Sequence, residues 1–137
     1  MKSLKLSLAA ALIAAGSLFG FAATQADATI GPFGGRYLIA DPPAKVGSYI
    51  QSSFYIYGNG GNQTVDLRLR RFYNGQWWIA NTVSYNVPSG SVSYGQGFLY
   101  PCSALPSGTY IYQTQTKWAS YAWSQADLSA GKSLTCP

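Results

Sequence analysis

From Ser48 to Tyr57 apolar and polar side chains take turns: Ile50, Phe54 and Ile56 are separated by Gln51, Ser53, Tyr55 and Tyr57. Successive side chains of a strand point to opposite faces, so this spacing predicts a strand with one face in a core and the other outside it. The pattern returns at Val65–Phe72, Gln76–Tyr85 and Ser91–Tyr100, and again where Tyr110, Tyr112, Thr114, Thr116 and Trp118 fall on one face. Arg36–Ala40 and Lys132–Cys136 are shorter segments of the same kind. Clusters of Gly, Pro, Asn and Ser separate them, and no helical period is sustained past the first thirty or so residues. Asp41-Pro42-Pro43 is expected to stop the first strand, because proline offers no N–H to a ladder. The expectation is an all-β domain of about seven strands.

The N-terminus carries a different pattern. Lys2 and Lys5 precede an apolar run from Leu6 to Phe21, and Ala26-Asp27-Ala28 supplies small residues of the kind a signal peptidase requires. Residues 1–28 are therefore expected to be a cleaved signal peptide, and residues 29–137 a single secreted, extracellular domain. Losing Lys2, Lys5 and Asp27 takes the net charge from +5 to +4. Export also sets the fate of Cys102 and Cys136, the only cysteines: in an oxidising compartment they are expected to form a disulfide. Closing a loop of that length is worth roughly 3–4 kcal/mol through the unfolded state.

Leu105-Pro106-Ser107-Gly108-Thr109-Tyr110 has the form of a tyrosine corner, a leucine and a glycine turn leading into a strand that opens with tyrosine. With the strand count, this resembles immunoglobulin-like and fibronectin-III-like antiparallel β-sandwiches. The resemblance implies that the last two long strands are antiparallel neighbours. Cys102, just before one, and Cys136, at the end of the other, would then lie side by side.

Arg71-Phe-Tyr-Asn-Gly-Gln-Trp-Trp-Ile-Ala80 holds the sharpest local question. Asn74-Gly75 in a two-residue turn pairs Tyr73 with Gln76 and sends Trp78 to the core. A three-residue loop ending in a glycine bulge pairs Phe72 with Gln76 instead, and places Trp77 and Ile79 beside Val65, Leu67, Leu69 and Val83. A one-residue slip exchanges the faces, so the register that buries more apolar surface is the expected one. Trp77 is then core, and Trp78 stands outside across from Arg70.

The strand opened by Tyr110 should lie beside Val65–Phe72, so the outer face would gather Trp78, Arg68, Arg70, Gln113, Gln115 and Lys117 as a candidate ligand-binding set. An indole accepts the C–H face of a sugar while amides and guanidinium groups meet its hydroxyls, and the same residue types serve protein hot spots. A guanidinium stacked on an indole is also an ordinary way to cover a surface ring. A second candidate is the loop carrying Trp118, Tyr121 and Trp123, whose rings suit a ligand groove or a membrane interface.

What is missing narrows the chemistry further. The chain has no His and no Glu, and beyond residue 28 its carboxylates are Asp41, Asp66 and Asp127. Nucleophile–histidine catalysis has no base, and metal sites lack their usual imidazole and thiolate ligands. No metal and no cofactor is expected, and no enzyme activity. Few Lys and Arg, not laid out as a stripe, also point away from nucleic acid. The expectation is a secreted, non-catalytic binding module for an extracellular glycan or protein, with anionic cell-envelope polymers suited to its charge. The alternative is a cationic antimicrobial or bacteriocin-like protein acting at an envelope or membrane through the Trp118–Trp123 loop.

Overall fold

A computed structural model of the protein describes residues 30–33, 35–90 and 93–137, the first four as backbone alone. The segment assigned to a signal peptide lies outside the described residues, as do Ser91 and Val92. Among the described residues there are nine strands: β1 (Ile30–Phe33), β2 (Arg36–Val46), β3 (Tyr49–Gly58), β4 (Gln63–Tyr73), β5 (Gln76–Val87), β6 (Ser93–Pro101), β7 (Gly108–Trp118), β8 (Asp127–Leu128) and β9 (Lys132–Cys136). All seven expected strands are among them. The short β1 and β8 carry too few residues to show a period.

The strands form an antiparallel β-sandwich. One sheet runs β1-β2-β3-β6; the other runs β5-β4-β7, with β8 and β9 both pairing to the far side of β7. That order, with β7 beside β4 and β9 beside β7, is the one expected of an immunoglobulin-like or fibronectin-III-like sandwich. Alternation supplies the core: Ile50, Phe54 and Ile56 from β3 meet Val65, Leu67 and Leu69 from β4, with Tyr112 and Trp118 from β7. Each such side chain contributes roughly 1.5–3 kcal/mol when fully buried. Between the two apolar clusters Ser52 and Thr114 hydrogen-bond across the sheets at 3.0 Å, so neither buried hydroxyl is left unpaired. The Cys102–Cys136 disulfide forms, with Cα atoms 5.3 Å apart.

Three local expectations are corrected. The prolines do not end β2: the register slips by one residue between Asp41 and Ala44, and the strand continues to Val46. Because β1 pairs with β2 only as far as Leu38, the proline stretch lies on an open edge where a missing N–H costs little. Tyr110 is half-buried where the chain enters β7, yet it is not a hydrogen-bonded corner. Its ring packs edge-on to Tyr73 and beneath the Arg71 guanidinium, 4.6 Å away.

The third correction is the hairpin. Asn74 and Gly75 both have positive φ, 56° and 79°, and Tyr73 pairs with Gln76, which makes a two-residue turn. One residue beyond Arg70↔Ile79, however, Leu69 faces Asn81, because Ala80 is an extra residue in a bulge. Neither register holds throughout. The turn follows Asn-Gly chemistry, and the bulge then reverses the facing, so that Val83, Tyr85 and Val87 point inward with Leu69 opposite Asn81 and not Ile79. Trp77 and Ile79, expected in the core, lie on the turn side of the bulge and point outward.

Candidate functional site

The outer face of the β5-β4-β7 sheet divides into two regions. Far from the turn, β4 and β7 pair Asp66 with Lys117 and Arg68 with Gln115 as direct neighbours. Lys117 Nζ donates to Asp66 Oδ2 at 2.9 Å and Ser84 Oγ donates to Asp66 Oδ1 at 2.6 Å. Burial alone would raise the Asp66 pKa. The hydrogen bonds from Ser84 and Lys117, with the charges of Lys117 and Arg68, outweigh it and hold the carboxyl below its usual range.

Over this ladder lies the connection from β7 to β9. Trp123 stacks on the Arg68 guanidinium at 3.7 Å and reaches Lys117 Nζ at 5.0 Å. Gln113 Nε2 donates to Ser129 O at 2.9 Å. Gln113, Gln115 and Lys117 are consequently only 4, 5 and 5% exposed. The structure thus places three of the candidate ligand residues beneath the protein's own chain. The second candidate loop is likewise folded down: Trp118 is a core residue, Tyr121 packs against the core, and Trp123 forms the cover.

Nearer the turn the cover ends and the sheet face opens. Arg70 donates through Nε and Nη2 to Gln113 Oε1, which leaves its remaining N–H groups for another partner. Trp77 lies 4.4 Å from the Arg70 guanidinium and edge-on to Phe72, and Ile79 and Ile111 flank them. Burial, and then the charge of Arg68, lowers the Arg70 pKa to about 10, so it remains a cation at neutral pH.

The other side of the hairpin runs on past the facing sheet. Trp78 pairs with Arg71, not Arg70, and its Nε1 donates to Tyr73 O at 3.2 Å. The Arg71 guanidinium sits over Tyr73 at 5.2 Å and Tyr110 at 4.6 Å. Trp78 is 49% exposed and Ile79 55%. Phe72, Tyr73 and Ile111 are exposed as well, so large apolar side chains crowd one end of the molecule around two guanidinium groups. Among the described residues, Lys117–Asp66 is the one ion pair. Neither Arg70 nor Arg71 is neutralised by a carboxylate.

From the expected set, the structure brings Arg70 and Trp78 to this end and leaves Arg68, Gln113, Gln115 and Lys117 in the covered ladder. Phe72, Tyr73, Trp77, Ile79 and Arg71 join the open end without having been expected there, beside Ile111, whose outward direction follows from the alternation along β7. The signal that would have found them is Asn74-Gly75 itself, read as a two-residue turn.

No family model matches the chain, and no curated protein resembles it in sequence. A solved structure with some likeness is that of Spo0M, a sporulation control protein from Bacillus subtilis, at 12% identity and a TM-score of 0.36. The match covers 76% of this chain, and the chain spans half the length of that protein.

Proposed function

We propose that the protein is a secreted, non-catalytic binding module that recognises an anionic extracellular glycan through the open end of the β4–β5 hairpin. The observation that carries this reading is the pairing of exposed rings with unneutralised cations. Trp78 and Tyr73 surround Arg71, and Phe72 and Trp77 surround Arg70, with no carboxylate engaged by either guanidinium. Apolar sugar faces stack on rings, and a uronate or phosphate meets the fork of a guanidinium. The leader-like N-terminus and the Cys102–Cys136 bond support an extracellular setting. The antimicrobial alternative draws less support, because the aromatic loop on which it relies is folded onto the sheet.

Titration against polygalacturonate, a glycerophosphate polymer and neutral polysaccharides tests the reading. Binding to a polyanion that weakens with salt and falls at least tenfold in Trp78→Ala is expected. Equal affinity of the wild type and Trp78→Ala, or binding confined to proteins, would remove the site.

A further inference from the structure

The opposite face of the sandwich carries a second, chemically different surface. On the outer side of β3, Gln51, Ser53, Tyr55 and Tyr57 alternate with the core residues, and Tyr37 of β2 stacks on Tyr57 with ring centroids 5.1 Å apart. Tyr55 follows at 6.5 Å from Tyr57. Tyr55 and Tyr57 are both exposed.

Across from the tyrosines β6 contributes almost no side chain, and its first large outward residue is Leu99, opposite Gln51. Its outward residues opposite Tyr57, Tyr55 and Ser53 are Ser93, Gly95 and Gly97. The result is an uncovered strip walled on one side by tyrosine rings. It is about 13 Å long at the usual rise per strand residue.

The two glycines differ in what they are needed for. A Cβ on Gly97 would fall 2.4 Å from Ser52 O and 2.7 Å from Ser53 Cβ, so close strand pairing accounts for it. A Cβ on Gly95 would meet Phe54 O at 3.6 Å and Tyr55 Cδ1 at 3.9 Å, which is ordinary contact, and the backbone there is not left-handed. Glycine inside a strand weakens it and often marks a bulge, a tight bend or the close approach of a ligand or another backbone; the β3–β6 pairing has no bulge at Gly95, and a bare backbone there leaves room for a ligand against Tyr55.

The chemistry of the strip says which molecule. Asp41 is its one carboxylate, and Ser53 Oγ donates to it at 3.1 Å. Phenol rings with hydroxyl edges and the Gln51 amide offer apolar faces beside neutral donors and acceptors. We infer that the Tyr55–Tyr57 strip over Gly95 binds a neutral glycan chain, as a site separate from the cationic hairpin end. Hydroxyl-bearing pyranose rings fit a charge-poor, unroofed aromatic trough, whereas an acidic polymer finds no cation in it.

Affinity electrophoresis and calorimetric titration of the purified protein with a β-glucan, a xylan and a galactomannan test the inference. Polygalacturonate and the Gly95→Thr and Trp78→Ala variants serve as controls. Gly95→Thr fills the strip with a side chain for which the backbone has room, so its unfolding midpoint should equal or exceed that of the wild type. The expected result is that at least one neutral polymer binds the wild type, that Gly95→Thr weakens it tenfold or more, and that Trp78→Ala leaves it unchanged. Polygalacturonate should show the reverse sensitivity, so failure of one site is distinguishable from failure of the other. No binding of any neutral polymer, or equal binding by Gly95→Thr, overturns the inference. So does a change of sedimentation from oligomer to monomer in Gly95→Thr without glycan binding, which would make the strip a contact between copies.

Discussion

The two halves of the outer β5-β4-β7 face are built from the same residue types and do different work. In one, Arg68 and Lys117 lie under Trp123, with Asp66 and Gln115 as partners. In the other, Arg70 lies beside Trp77 with only Gln113 as partner. The β4–β7 register runs unbroken through both. What separates them is the path of the β7–β9 connection, which passes so close to Ile111 that a Cβ on Gly131 would fall 2.9 Å from its Cγ2. On the covered side, cation, ring and amide become structure. On the open side the same groups keep unused donors and exposed faces.

The largest effect should follow from breaking the covered half. Asp66→Ala leaves Lys117, nearly fully buried, without its counter-ion and should cost about 3 kcal/mol in denaturant unfolding. The same pair sets an acid limb. Because the folded-state pKa of Asp66 lies below its unfolded value, its stabilisation is complete above that unfolded value, near 4, and is lost as pH falls through the folded one. Unfolding midpoints measured from pH 7 to pH 2 should therefore decline less steeply in Asp66→Asn. Asp41 works in the other sense. Burial raises its pKa, although the Ser53 hydrogen bond opposes this, so its contribution is present at low pH and fades as pH rises through the folded value.

Removing the cover is a milder change. Trp123→Ala deletes two cation–ring contacts, each worth about 0.5–1 kcal/mol, and should lower stability by about 1–2 kcal/mol. Polyanion binding should stay within twofold of wild type, since Arg70, Arg71 and Trp78 are untouched. A tenfold loss would mean that the two halves act as one site and that the division drawn between them is wrong.

The hairpin shows how far the sequence could be read. The period-two pattern located β3, β4, β5 and β7, and the core residues Val65, Leu67 and Leu69 followed from it. Burial and turn chemistry gave conflicting registers for β5: the turn's register holds up to Arg70↔Ile79, whereas beyond Ala80 only the inward facing that burial gave Val83 holds, with Leu69 opposite Asn81 and not Ile79. A bulge lets both rules hold, and nothing in the letters Ile79-Ala80-Asn81 marks it. The same limit applies to the covered ladder. Alternation correctly put Gln113, Gln115 and Lys117 on the outer face, but alternation describes a strand, not what is laid over it. The connection from Ala119 to Gly131 has no period, so its return across the sheet was invisible. The tyrosine strip was legible in β3 as outward Tyr55 and Tyr57, whereas the freedom of Gly95 depends on distances to β3 that only the paired sheet defines.

Trp78→Ala should have the smallest effect on stability and the clearest effect on function. The ring is half exposed, belongs to neither core cluster, and makes one hydrogen bond, to Tyr73 O. Its removal should cost less than about 1 kcal/mol, well under the 3–5 kcal/mol typical of a buried tryptophan such as Trp118. Trp77→Ala is the informative companion, because Trp77 shares a side of the hairpin with Arg70 while Trp78 shares the other with Arg71. If the glycan lies against Arg71, polyanion affinity falls tenfold in Trp78→Ala and little in Trp77→Ala. The opposite ranking would move the site across the hairpin to Arg70, Phe72 and Ile79. Equal losses in the two variants would mean that a single chain wraps the hairpin end and uses both guanidinium groups.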